Sequence, residues 1–419
     1  MGISTLADHL RHNATKRPDA PALIGAEGVW SNAQLLADAG QRVNQASGDK
    51  GPLIVAGDSL QLAFAVYAAS LENRPFWPVD RSIPPISGDI PATTALIIST
   101  SGSEGKSCAV LLSHANLAAA ASAANRRLGL GPDDLWLNCM PLHHIGGQSI
   151  LWRCAIAGAA QLLHRGFSLA ELEADLARWP VSHISLVPAM LARLLEADIK
   201  PPKTLRVALI GGAALNPSLY EQAQAAGWPL YPSYGMSETA ALLAAWQPGQ
   251  LPWPAGVVGR GPEDHEIAIA DDGRIRVRGP QVMLGYLGQP PLPAGAWLTT
   301  GDLGEFDAEG QLRILGRADD MLISGGSNVH PLDIEHCLAG CPGVSDVAVT
   351  GLPDPVWGDL VVALIAGPVD DATLLEHARR HLPKAAQPRR IVRLERLPRT
   401  PAGKLERAVL RRLAAGDPQ

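Results

Sequence analysis

Apolar residues come in short bursts from the start of the chain to Ile210, and their spacing predicts alternating helices and strands. Residues 5–17 set Leu6 and Leu10 one helical turn apart among charges, with Pro18 as a stop, which predicts an amphipathic helix. Ala22–Ile24 and Leu53–Val55 are strand candidates, Leu60–Leu71 is a helix of Ala and Leu, and the proline-rich stretch 75–91 is predicted as loop. Ala95–Ser99 forms a buried-strand run that delivers the chain into a loop of small residues. Cys108–Leu112 follows as a further strand and Leu117–Arg127 as an alanine-rich helix. Helix Ser168–Trp179 then leads into strand His183–Val187, and helix Ala189–Glu196 into strand Arg206–Ile210. Such alternation predicts a layered α/β domain with a largely parallel sheet.

From Pro254 the texture changes to short β-like pieces with Asp-Gly turns. Glu266–Ala270 and Arg274–Arg278 flank Asp271-Asp272-Gly273, which predicts a small β subdomain. Beyond Asp319 the pattern reads as a short strand, a helix from about Pro331, strands Val344–Thr350 and Leu360–Ile365, a helix over Ala372–His381 and a basic helix near Leu405–Leu413. Neither internal repeats nor long low-complexity segments are evident.

Composition narrows the class. A net charge of −6 gives no bulk attraction to nucleic acid or to an anionic membrane. The five cysteines, at 108, 139, 154, 337 and 341, lack paired CxxC spacing and read as reduced thiols, not as a disulfide framework or zinc site. The first twenty residues carry charges where a signal peptide needs an apolar core, and a myristoylation reading fails at Leu6. With no apolar run of bilayer-spanning length, the expectation is a soluble cytoplasmic protein.

Five stretches carry candidate chemistry. Thr100-Ser101-Gly102-Ser103-Glu104-Gly105-Lys106-Ser107 follows a strand, and its small residues would let backbone N–H and hydroxyl groups surround phosphate oxygens. A Walker A reading fails, because Thr100 stands at the first glycine and the next element reads as strand, not helix. Taken alone, the loop is as well read as a plain turn. Pro141–Gly147 holds the pair His143-His144, and either imidazole alone reads as a satisfied core or surface residue. Tyr234-Gly235-Met236-Ser237-Glu238-Thr239 offers a carboxylate after a strand and turn. Upstream, Gly211-Gly212-Ala213-Ala214 lacks side chains, so a flat ring could lie on its backbone; tight helix–strand packing explains it equally. Thr300-Gly301-Asp302, Gly316-Arg317-Ala318-Asp319-Asp320 and Gly325-Gly326 form the fourth stretch, where both Asp302 and Asp319 could be turn formers. The fifth, Pro398–Leu405, ends in Gly403-Lys404, otherwise an ordinary solvated charge.

In this order the five stretches resemble the motifs of adenylate-forming enzymes, over nearly the whole chain. The resemblance implies an α/β N-terminal AMP-binding domain, 1–318, of layered sheets and helices with a β subdomain, and a small mobile α+β C-terminal domain, 319–419. It implies that Thr100, Ser101, Gly102, Ser103, Gly105 and Lys106 line the phosphates. It gives Gly212, Ala213, Tyr234, Gly235 and Ser237 to the nucleotide, Glu238 to Mg²⁺ and catalysis, and His144 to an aromatic gate beside the substrate carboxylate. Asp302 would take the ribose hydroxyls, Arg317 would assist at ribose or phosphate, Asp319 would be the hinge, and Lys404 would be the catalytic cation. The loop departs from the family pattern at Glu104, Ser107 and Cys108, which leaves open whether Lys106 replaces the missing lysine.

The implied reaction joins a carboxylic acid to ATP·Mg²⁺, giving acyl-AMP and pyrophosphate, and then passes the acyl group to a thiol. Asp319–Pro331 and Gly351–Gly358 are similar to acyl- and aryl-CoA ligases, including the halobenzoate type. Trp357 there either stacks on the CoA nucleotide or packs as a buried aromatic. Pro141–Arg153 and Ser182–Pro188 are similar to o-succinylbenzoate–CoA ligases, which favours an aryl acid of that kind. Arg153 is read as a helix-surface residue, with contact to a second carboxylate as the alternative. A stand-alone enzyme loading a carrier protein, or a non-catalytic nucleotide binder, shares these motifs.

Overall fold

The computed structural model describes residues 5–43, 51–80, 88–101, 107–249, 252–399 and 405–416. The first helix, Leu6–Lys16, starts at Thr5, whose hydroxyl accepts from the Asp8 amide while Asp8 answers the Thr5 amide, a reciprocal cap. Leu6 and Leu10 are buried beneath it, as their spacing predicts.

An eight-stranded sheet runs in the order Ala241–Ala245, Leu230–Met236, Val207–Ile210, His183–Leu186, Leu135–Asn138, Ala160–Leu163, Pro21–Gly25, Gly28–Ser31. Its six inner strands are joined by parallel pairings, and an antiparallel strand closes each end. Apolar clusters fill both faces. One runs from Leu135 to Ile210 and on to Trp228 and Trp246; the other, on the opposite face, packs Trp136, Ile150, Val207 and Leu209. Strands buried on both faces read as unbroken apolar runs, which is why Val207–Ile210 was visible in the sequence; His183–Leu186 is equally buried, its His183 and Ser185 hydrogen-bonded.

A second sheet pairs Leu53–Ala56, Phe76–Val79, Thr94–Ser101, Ser107–Ser113 and Gly285–Tyr286. Phe76–Val79 corrects the loop expected over 75–91: all four of its residues are buried, and its Pro78 lies in a strand that pairs parallel with Leu53–Ala56. Burial of Phe76 and Trp77 outweighs the local preference of proline for turns. The helix His114–Leu128 is capped by Ser113 and Asn116, and the Asn116 amide also donates to the Pro280 and Val282 carbonyls. A single side chain thereby pins this helix to the β region downstream. That region is a five-stranded antiparallel sheet holding Leu298–Phe306 beside Leu312–Arg317.

Residues beyond Asp320 build their own core. One cluster draws its buried members from Leu322 to Ala386 and another from Ala348 to Ala414, around the strands Asp346–Asp354 and Gly358–Ala366. No helix among the described residues is long and apolar enough to cross a membrane.

Burial pushes two histidines down to about 4, His265 in the large part of the chain and His336 in the C-terminal part. Both ring nitrogens of His265 are buried without a partner. A histidine depressed in the fold binds its proton more readily once unfolded, so stability is complete above pH 6.5 and is lost as pH falls toward 4. The loss approaches ~1.4 kcal/mol per pH unit for each histidine. Urea unfolding followed at pH 7 and pH 5 should give a clearly lower midpoint at pH 5; equal midpoints would contradict the burial assigned to both rings.

Candidate active site

The fourth stretch closes into a compact ion-pair node. Asp302 and Arg317 are direct cross-strand partners, which brings their side chains together. Arg317 Nη1 donates to Asp302 Oδ1 at 3.3 Å, and the Tyr234 hydroxyl donates to Asp302 Oδ2 at 2.6 Å. A Cβ on Gly301 would lie 2.6 Å from the guanidinium of Arg317, so glycine leaves the cation room to lie across the strand. Burial, and then the charge of Asp302, raise the Tyr234 phenol well above its ordinary range, so Tyr234 stays a donor at any working pH. Arg317 also donates from Nε to Asp319 Oδ1 at 3.1 Å. The node thus joins the end of the eight-stranded sheet to Asp319.

Glu238 sits on a short turn, Ser237–Thr239, after the strand that carries Tyr234. Ala240 and Ala241 follow with φ of 52° and 90°, a sharp reversal in a conformation costly for residues bearing a Cβ. The reversal folds the chain back so closely that a Cβ on Gly235 would meet the Ala241 carbonyl oxygen at 1.7 Å. Tyr286 donates to Glu238 Oε1 at 2.8 Å and so fixes the carboxylate. Sequence reasoning missed Tyr286: it lies 48 residues downstream and arrives on the strand Gly285–Tyr286, beside Ser107–Ser113.

Gly212 has φ of +80°, and the segment Gly211–Ala214 is partly open, between the strand Val207–Ile210 and the helix Pro217–Ala225. Gly211 lies against the Ser233 hydroxyl, where a Cβ would come within 2.9 Å. The backbone of Gly212 and Ala213 therefore stays accessible while Gly211 seals the strand packing. Thr100 and Ser101 end one arm of a hairpin, with Ser101 opposite Ser107, and the Thr100 hydroxyl donates to the Cys108 carbonyl at 3.3 Å. The expected phosphate residues Gly102, Ser103, Gly105 and Lys106 lie outside the described residues, as does Lys404.

His144 is the N-cap of the helix Ile145–Ala157, its ring 4.3 Å from that of His143. Burial lowers the pKa of His143, against the pull of Asp80. Two and a half turns on, Arg153 corrects the helix-surface expectation. It is 3% exposed, its guanidinium lies 5.3 Å from the Trp136 ring, and its Nε is buried without a partner. Burial lowers its pKa to about 10. None of the ion pairs among the described residues involves it. Helix Ile145–Ala157 is buried nearly all round, so its polar positions carry no surface signal. Trp357 is half-buried: the Arg389 guanidinium covers its ring at 3.3 Å, and Gly325 abuts its edge.

Comparisons with known proteins agree with this arrangement. The model of the AMP-binding enzyme family matches residues 41–287, and that of the AMP-binding enzyme C-terminal domain matches 333–404. A 2-succinylbenzoate–CoA ligase of Bacillus subtilis is 34% identical over 339 residues, covering 77% of this chain and 70% of the relative. The structure of o-succinylbenzoate CoA synthetase from Bacillus subtilis with its acyl-adenylate intermediate superposes with a TM-score of 0.82 at 28% identity, covering 96% of this chain and 97% of that one. A double mutant of the same synthetase bound to a product analogue, with the same coverage and 27% identity, gives 0.67. With the node at Asp302, the turn at Glu238 and the family models in register along the chain, this protein belongs to the AMP-binding enzyme family.

Proposed function

We propose that this chain is an AMP-forming acid–CoA ligase that activates an aryl dicarboxylic acid of the 2-succinylbenzoate kind. Asp302 carries the nucleotide part of the proposal. Its two oxygens each accept one protein donor and keep lone pairs for the ribose hydroxyls. Gly212 and Ala213 give the adenine a flat backbone platform. Thr100, Ser101, Gly102, Ser103, Gly105 and Lys106 would serve the phosphates together with Gly235 and Ser237. Glu238 has a hard carboxylate oxygen that would suit Mg²⁺, an ion bound through one or two carboxylates. Bound there, the ion would offset charge on the phosphate oxygens.

In the first step a carboxylate oxygen of the acid attacks the α-phosphorus, and the bond to pyrophosphate breaks. His144 shapes the entry to the acid pocket, and Lys404 offsets the charge that builds on the phosphoryl oxygens. In the second step the CoA thiolate attacks the acyl carbon and AMP leaves. For this the C-terminal domain, 319–419, turns about Asp319 and withdraws Lys404. Trp357 with its Arg389 partner offers a stacking surface and a cation for the CoA nucleotide. The five cysteines are all free thiols, which suits a reducing cytoplasm.

Arg153 supports the choice of acid. An unpaired buried guanidinium is costly, and a carboxylate is the partner its fork best matches. Cα–Cβ bonds of a helix tilt toward its N-terminus, the end that His144 caps here. A second reading, transfer to the phosphopantetheine arm of a carrier protein, draws on the exposed Ile323 and Val356 beside Trp357. Comparing free CoA with a carrier domain as acceptor separates the two. Pyrophosphate release over benzoates, 2-succinylbenzoate and fatty acids, with CoA present, tests the whole proposal. No acid-dependent release would leave a non-catalytic nucleotide binder.

Two variants sharpen the test. Lys404→Ala should abolish acyl-AMP formation but spare thioester formation from preformed acyl-AMP; equal loss of both would contradict domain rotation. Arg153→Met should keep or raise the thermal midpoint, because it removes an unpaired buried charge. The same variant should raise KM for 2-succinylbenzoate about 100-fold, equivalent to ~3 kcal/mol. A stability loss with unchanged KM would assign Arg153 a purely structural role.

A further inference from the structure

Asp319 is held differently on its two sides. Its carboxylate is held by Arg317, through Nε at 3.1 Å and Nη2 at 3.5 Å, and Arg317 in turn reaches Asp302. Its carbonyl oxygen faces the other way and accepts from Arg411 Nη2 at 3.4 Å. Arg411 also reaches Asp320 Oδ1 at 3.5 Å, and Arg407 Nε lies 3.5 Å from Asp320 Oδ2.

Arg407 and Arg411 are one turn apart on the helix Arg407–Ala415 and so share a face. Arg407 is itself anchored, donating from Nη1 to Glu335 Oε1 at 2.7 Å and to the Val349 carbonyl at 3.0 Å. Glu335, 7% exposed, also accepts from the Val349 amide at 2.8 Å. The side chain of Asp319 thus belongs to the N-terminal body. Its carbonyl, and the whole of Asp320, belong to the C-terminal body. Along the main chain, the bond from Asp319 Cα to its carbonyl carbon is the one that separates the two sets of contacts.

We propose that Arg411 and Arg407 are positioning residues that fasten the pivot's carbonyl side to the C-terminal helix, so that domain rotation is confined to the ψ torsion of Asp319. This rests on the two-step reading above. The fastening travels with the C-terminal body and therefore serves both half-reactions. Lys404 lies three residues before Arg407 in the sequence, and Arg399 and Leu405 form an isolated bridge. Without the fastening, rotation would be shared with the φ torsion of Asp320, and the Lys404 loop would arrive over a spread of angles.

The test compares wild type, Arg411→Gln, Arg411→Lys and Asp320→Asn. Arg407 is left intact because its loss would strand buried Glu335. Arg411 is half-exposed and its contacts are long, so its removal spares the fold and costs about fivefold in rate. Acyl-AMP formation and thioester formation from preformed acyl-AMP should both slow about fivefold in Arg411→Gln, with KM for ATP and acid unchanged. Arg411→Lys should recover most of the rate, and Asp320→Asn should act like Arg411→Gln. Amide hydrogen exchange over 318–322 should speed up in Arg411→Gln. Unchanged rates, an effect on only one half-reaction, or unchanged exchange would each overturn the proposal. Were wild type to form no acyl-AMP, the ligase reading would fail, while exchange over 318–322 would still decide the fastening.

Discussion

One carboxylate holds the parts of this molecule in register. Asp302 lies on the antiparallel sheet, takes a proton donor from Tyr234 at the end of the eight-stranded sheet, and faces Arg317 across its own strand pair. Arg317 passes the connection to Asp319. Geometry at Asp302 therefore couples the two sheets to Asp319. Tyr234 keeps its proton because burial and the neighbouring carboxylate both oppose ionisation. Gly301 is equally necessary, since any side chain there would collide with the arginine.

A second constraint comes from an apparent defect. Helix Ile145–Ala157 is packed on almost every side, yet it carries Arg153 into the interior with no ion-pair partner among the described residues. Local rules for a stable core are broken there, and such breaks concentrate at functional sites. The Trp136 face offers the cation partial compensation, which leaves the guanidinium fork available for an anion. The strained alanines at 240 and 241, beside Glu238, are a second local conflict.

Much of the fold was legible because its signals are local. The helix Leu6–Lys16 shows a cap, a period and a stop, and the stretch from Thr300 to Asp320 is contiguous, so its resemblance to a known family's motifs is legible in the sequence. What stayed hidden depends on tertiary context. Phe76–Val79 is a strand inside a proline-rich stretch because its neighbours bury it. Ile145–Ala157 lacks a polar face, so no periodicity marks it or shows that Arg153 points inward. Tyr286 meets Glu238 only because Gly285–Tyr286 pairs with a strand far upstream. Asp302 and Arg317 were each singled out by a motif, but their contact was not, and the Arg411 contact with Asp319 has no motif to announce it.

The claim that this site binds an acyl-adenylate bearing a second carboxylate can be read directly by calorimetry. Two non-hydrolysable sulfamoyl-adenosine mimics, one carrying the 2-succinylbenzoyl group and one carrying benzoyl, are titrated into the wild-type protein. The succinylbenzoyl mimic should bind about 100-fold more tightly, the margin that pairing a buried cation supplies. Equal affinities would contradict the role given to Arg153, and binding of neither mimic would contradict the adenylate site itself.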